Sequence, residues 1–267
     1  MRCHLMTNFL SIQVIKELID SFQTMEELQA TDLLKDERKG VQKLIQQFEK
    51  RLTREALVKE EHLQRLSIEN KLRTQGFQYI AGIDEVGRGP LAGPVVTAAV
   101  ILPEDCDALM GVNDSKQLSH EKRAYFVDLI KATALAYSIT VTSVAEIDQF
   151  NIYEATRRSM LESVQKLTLQ PDFLLLDAMK IDSPLPQESI IKGDQRSLSI
   201  AAASILAKEY RDQLMIDYGK EYPEFGFEKH MGYGTKLHLA ALAEFGYTPI
   251  HRQSFSPVAQ TLKIYKK

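Results

Sequence analysis

The chain has 267 residues, 44% of them hydrophobic and 26% charged, enough to bury a substantial core as one large domain or two small ones. No stretch approaches the roughly 20 apolar residues that cross a bilayer, the N-terminus lacks a signal-peptide pattern, and Cys3 and Cys106 stand apart with no CxxC or Cys/His cluster, which excludes a disulfide framework and a structural zinc site. The cytoplasm is therefore the expected compartment, and the net charge of −3 neither advertises nor excludes nucleic-acid binding, which needs only a locally basic surface.

Residues 1–75 read as a helical N-terminal extension. They hold no proline and one glycine, Gly40, with 13 Lys/Arg against 12 Asp/Glu. Apolar residues recur at helical spacing, first Ile12, Ile15, Leu18, Ile19 and Phe22, then Val41, Leu44, Ile45 and Phe48. The charged stretch from Leu52 to Leu72 predicts a long exposed helix. Two or three helices result, with a break near Asp36 to Gly40. Met6 is an alternative start that would make Met1 to Leu5 an upstream segment.

From residue 76 onward the pattern turns to strands and helices. The apolar runs Gln78–Ile83 and Pro94–Leu102 are short, partly β-branched and bounded by Gly and Pro, and so predict buried strands. A polar loop, 111–118, leads to a helix from Ser119 to about Ala132, with Ser119 as N-cap and Glu121 in the first turn. Further strands are expected over 134–144, 172–177 and 189–192, and helices over 148–167 and from Ser197 to about Tyr218. The first connections are too short for helical crossovers and predict antiparallel pairs. An α/β fold with a mixed sheet flanked by helices follows.

Acids stand where strands end: Asp84 with Glu85, Asp177, and Asp194. Unpaired carboxylates are costly to bury, and neighbouring strand ends can gather them around magnesium, a hard cation that takes oxygen ligands. Successive strand residues point to opposite faces, so Glu85 is expected past the strand or at a bulge if it shares a site with Asp84. Taken singly, each acid has a simpler reading: Asp177 in a turn, Asp194 as a helix cap, Glu85 paired with Arg88.

The string from Gly82 to Pro94, which carries Asp84, Glu85 and the triplet Gly87-Arg88-Gly89, closely resembles the first motif of ribonuclease HII, the type 2 ribonuclease H family. Leu174 to Ala178 resembles its second acidic motif, Ile190 to Asp194 its third, and Ser199 to Asp212 the helix that follows. The resemblance spans about residues 77–258, which become a ribonuclease H-like catalytic domain within 76–267. It implies four catalytic and metal-binding acids, Asp84, Glu85, Asp177 and Asp194, holding Mg2+ or Mn2+, two ions during catalysis. The implied activity is hydrolysis of the RNA strand of RNA–DNA hybrids, including incision at single ribonucleotides in duplex DNA, with 3′-hydroxyl and 5′-phosphate products.

The same resemblance assigns the 2′-hydroxyl to the backbone of Gly87, Arg88 and Gly89, and base stacking to Tyr233, although Met231 stands where the family pattern has lysine. Asn113, Lys116 and Lys192 are candidate phosphate contacts, each otherwise a solvated loop residue. His251 to Phe255 resembles a late motif that either binds or packs. His230 is a candidate proton shuttle, with an exposed or surface-bonded histidine the simpler reading. A monomer acting on hybrid and ribonucleotide-bearing duplex is expected, with no membrane contact. Recruitment of a sliding clamp is left open. Ribonuclease HIII, with a glutamate as fourth acid and a β-containing N-terminal domain, and a non-catalytic hybrid-binding module are the alternatives.

Overall fold

The computed structural model describes residues 10–113, 115, 116 and 118–265; Cys3 and the alternative start at Met6 lie outside them. The chain forms two compact units, residues 1–61 and 62–267.

In the first unit α1 (Ile12–Ser21) begins at Ser11, whose hydroxyl accepts from the Val14 amide. The short α2 (Met25–Gln29) begins at a reciprocal cap between Thr24 and Glu27. A single 3-10 turn (Leu33–Lys35) then precedes α3 (Lys39–Arg65). Asp36 breaks the helical run: its carboxylate takes the Arg38 backbone amide at 3.0 Å and the Arg38 guanidinium, which holds its pKa below the usual range. Ile15, Ile19, Leu28, Leu33, Val41, Ile45 and Phe48 form this unit's own core.

The second unit takes in α4 (Ser67–Thr74) and a five-stranded sheet in the order β3-β2-β1-β4-β5. The strands are β1 (Ile80–Val86), β2 (Val95–Ile101), β3 (Ala136–Thr142), β4 (Phe173–Asp177) and β5 (Gln187–Ile190). β2 runs antiparallel to both its neighbours, β1 and β3, whereas β4 and β5 run parallel to β1. The β2–β3 connection is not a simple hairpin, because it carries α5 (His120–Thr133), whose N-cap is Ser119. The other helices are α6 (Val144–Gln165), α7 (Gly193–Arg196), α8 (Leu198–Glu221), α9 (Phe227–His230), α10 (Lys236–Phe245) and α11 (Ser256–Tyr265). α6 is interrupted at Asn151, where φ is 65° and the side chain accepts from the Tyr153 and Glu154 amides and restarts the helix.

Both faces of the sheet are covered, which is why all seven residues of β2 are buried. Val96, Ala98 and Val100 pack on the alanine-rich face of α8, and Ala99 and Ile101 on α6. Alanines alone would not let α8 come so near. At Gly82 in β1 an added Cβ would lie 2.2 Å from the Ser199 carbonyl carbon, so strand and helix backbones touch where a side chain would stand. α8 is thereby pressed against the strand that delivers Asp84.

Candidate active site

The parallel strands β1, β4 and β5 end on the same side of the sheet. Ile83 pairs with Leu176 and Asp177 with Ile190, so Asp84 and Asp177 lie side by side and face α8. Glu85 remains in the regular ladder, opposite Thr97, and neither a bulge nor a strand end intervenes. The expectation of a departure there is corrected. The β1–β4 ladder stops at Ile83, so β1 overhangs its neighbour, and a side chain on the overhang is not confined to one face.

Asp84, Glu85 and Asp177 line one cavity of about 320 Å³ together with Ser115, Lys116, Ser204, Lys208, Arg211 and Tyr233. Burial, then the charges of Glu85 and Asp177, push the Asp84 carboxyl well above its usual range, against a hydrogen bond from Ser204. Burial raises Glu85 too, with Arg88 opposing. Arg88 Nη1 donates to Glu85 Oε1 at 3.2 Å, while Glu85 Oε2 is buried with no hydrogen-bond partner. Converging buried carboxylates and an orphaned carboxylate oxygen are the donor set that a hard divalent cation satisfies. Among the described residues, no three such side chains are gathered closely enough around one point to hold an ion as they stand.

The other sequence candidates fall into two groups. Asp194 is buried in α7, Lys116 Nζ lies 3.9 Å from its Oδ2, and the preceding Gly193 amide donates to Asp177 Oδ1 at 2.7 Å. Tyr233 is 48% exposed, and its Cε1 would be 3.4 Å from a Cβ on Gly89, so ring and turn face each other. Asn113 and Lys192 do not line the cavity. Asn113 Oδ1 accepts from Arg65 at 2.6 Å, and Lys192 is exposed in left-handed backbone, φ 56°. Ala178 and Met231 are left-handed as well. Among the described residues, three of the four non-glycine residues with positive φ thus lie within two positions of Asp177, Asp194 and Tyr233.

Sequence reasoning missed the arginines that shape the turn. Arg211, fully buried in α8, donates to the carbonyls of Pro94 at 2.9 Å, Met231 at 3.0 Å and Ala92 at 3.2 Å. Arg252, also fully buried, donates to Arg88 O at 3.0 Å, Gly87 O at 2.5 Å, and Gly93 O at 3.0 and 2.8 Å. Burial lowers Arg211 to about 10 and, with Arg211 beside it, Arg252 to about 9. At Gly87, φ is 95° and a Cβ would lie 2.2 Å from Arg211 Nε, so only glycine fits. Ser204, Lys208 and Arg211 recur at i, i+4 and i+7 in an alanine-rich helix, a polar stripe that helical periodicity could have revealed.

The late motif packs. The carboxylate of Asp148 accepts from the Gln253 and Ser254 amides, both at 2.9 Å, which seats Arg252. His230 is buried rather than superficial: Nε2 donates to Phe225 O at 2.9 Å and Nδ1 accepts from the Gly232 amide at 3.3 Å. His251 Nδ1 accepts from Thr248 N at 2.9 Å, so its Nε2 proton points to His238 Nε2 at 2.9 Å. His238 Nδ1 in turn donates to Tyr233 O at 3.0 Å. This chain of neutral rings fixes the backbone that carries Tyr233.

A model of the family described as ribonuclease HII matches residues 81–258. The chain belongs to the ribonuclease HII family. A second model, the ribonuclease HII N-terminal domain, matches residues 11–73. A ribonuclease HII from Bacillus cytotoxicus is 51% identical over 253 residues, 95% of this chain and 97% of that one. One from Halalkalibacterium halodurans is 51% identical over 257 residues, 96% and 97% of the two chains. Among solved structures, ribonuclease H2 from Pyrococcus horikoshii aligns with a TM-score of 0.62 at 24% identity over 70% of this chain and 99% of its own. Ribonuclease HII from Archaeoglobus fulgidus, solved in a complex with PCNA, aligns at 0.58 and 25% identity, covering 67% and 95%. Membership in the ribonuclease HII family makes the chain a nuclease and hence a hydrolase.

Proposed function

We propose that the chain is a metal-dependent endoribonuclease that cuts the RNA strand of RNA–DNA hybrids and incises duplex DNA on the 5′ side of single ribonucleotides, leaving 3′-hydroxyl and 5′-phosphate ends. The observation that carries this reading is the cavity where Asp84, Glu85 and Asp177 converge beside the Gly89–Tyr233 pair. In this reading Asp84, Glu85, Asp177 and Asp194 hold Mg2+ or Mn2+. When bound, two such ions supply an activated water and a charge sink for the leaving 3′ oxygen.

The chain's own groups do the rest. Ser204 holds the Asp84 carboxyl, the Gly193 amide holds Asp177, and Lys116 and Lys208 bring positive charge to the cavity for the phosphate. Arg211 and Arg252 take the carbonyls of the turn. In a trans peptide the N–H points opposite to the preceding C=O, so the amides of Arg88 and Gly89 are directed away from Arg252, where they can meet a ribose hydroxyl. Tyr233 offers an aromatic face to the neighbouring nucleotide. A buried free thiol at Cys106 fits a reducing compartment, and the reading places the enzyme in the cytoplasm.

The test is incubation with duplex DNA bearing one ribonucleotide, with and without Mg2+ or Mn2+. Metal-dependent incision 5′ of the ribonucleotide is expected. Cleavage only at runs of ribonucleotides would remove the single-ribonucleotide assignment, and tight binding without cleavage would leave a binding module. Asp84→Asn is expected to bind the same duplex with no measurable cleavage.

A further inference from the structure

The first unit carries a face that its fold does not use. One side of α3, with Val41, Ile45 and Phe48, is buried in the unit's core. The opposite side presents Lys39, Lys43, Lys50 and Arg54, all exposed, with Gln46 and Thr53 between them. At about 100° per residue the four cations lie within one narrow stripe, and at 1.5 Å per residue they span about 22 Å. No acid stands on that stripe between Lys39 and Leu57. Glu49 projects to its flank, and Glu55 lies 4.0 Å from Arg51 on another side. None of the four cations is ion-paired among the described residues, whereas Lys35 and Arg38 just upstream pair with Asp32 and Asp36. The unit's acids are instead concentrated between Glu17 and Glu37.

We propose that this stripe of α3 binds the sugar-phosphate backbone of duplex nucleic acid, giving the chain a grip on its substrate that is independent of sequence. The proposal rests on the nucleic-acid substrate of the function above. A duplex presents one charge per about 1.7 Å of axis, and unpaired lysines and arginines on a rigid rod neutralise it by releasing counterions. The stripe has no aromatic side chain for stacking on unpaired bases, which favours a duplex over a single strand. Among the described residues its one exposed large apolar side chain is Leu57, too little to enter a lipid surface, and the apolar side of α3 is already buried.

The experiment measures the affinity of the full-length protein for an all-DNA duplex across a range of salt concentrations. K39Q/K43Q/K50Q/R54Q is expected to reduce the slope of log K against log salt by about 3.6, from about 0.9 for each of the four phosphate contacts removed. Cleavage of a ribonucleotide-bearing duplex at saturating substrate should remain. K16Q/K59Q, which removes exposed charge from other faces, should leave the slope within about 1 of wild type. An unchanged slope in the quadruple variant overturns the proposal, as does an equal change in both variants. Loss of binding to phosphatidylserine vesicles with an unchanged duplex slope overturns it too. Failure of the wild type to cleave would instead sink the ribonuclease reading, and the slope measurement would still decide the stripe.

Discussion

Arg252 makes four hydrogen bonds to three carbonyls of one turn, and a lysine ammonium on a flexible stem cannot reproduce that fork. Arg252→Lys should therefore lower kcat/KM at a single ribonucleotide on the order of 10²-fold, the scale of a small misplacement of positioning groups. Affinity for an all-DNA duplex should not change. Measuring both separates positioning from a general loss of structure, which would depress the two together. The acids were legible at this scale because aspartate and glutamate at the end of an apolar run are conspicuous. The arginines were not: Arg211 and Arg252 look like surface charge in a sequence, and what buries them is a set of carbonyls contributed by residues 87–94 and 231. Glu85 was misjudged for a related reason, since its freedom comes from the length of β4, a different strand.

At the scale of elements, Glu69 of α4 decides how α8 begins. Its buried Oε1 accepts from Ser197 Oγ at 2.6 Å, Ser199 N at 3.0 Å and Ser199 Oγ at 2.7 Å, placing a carboxylate at the helix N-terminus. Glu69→Ala leaves these donors unmatched and should cost about 1–3 kcal/mol in chemical denaturation, with Glu69→Gln recovering part. The charge pattern predicted one helix over Leu52 to Leu72, where the structure has the end of α3 and a separate α4, and it could not reveal this partner, 128 and 130 residues away in sequence. The buried histidines give a pH dependence with a definite sign. Burial and His238 push His251 from 6.5 down to about 3, so between those values the folded state binds fewer protons than the unfolded one. The stabilisation is complete above about 6.5 and is lost progressively as pH falls toward 3. Urea midpoints measured down that range should decline in the wild type and decline less in a His251→Gln variant.

For the whole molecule, the boundary between the units makes a testable difference. The core of the first unit draws on residues 10–52, and the clusters of the second begin at Leu66. A chain starting at His62 keeps Glu69 and should unfold in one transition with cleavage retained. A chain starting at residue 76 lacks Glu69 and also the core residues Leu66 and Leu72, and should be less stable by more than the about 1–3 kcal/mol of Glu69 alone. Differential scanning calorimetry of the two compares them directly. The mixed sheet and its helical flanks were readable from strand and helix patterning; the common point on which the parts depend was not. Along α8, Ser199 meets Glu69 and Gly82, Ser204 holds Asp84, Lys208 lines the cavity, Arg211 holds the turn, and Met215 joins the C-terminal core. A single inserted or deleted residue would rotate everything beyond it by about 100° and shift it by about 1.5 Å, so every later attachment would miss its mate. The interval from Ser199 to Met215 is thus a ruler of fixed length, closed to insertion and deletion, while the exposed loop around Pro184 can change length without disturbing any of these attachments.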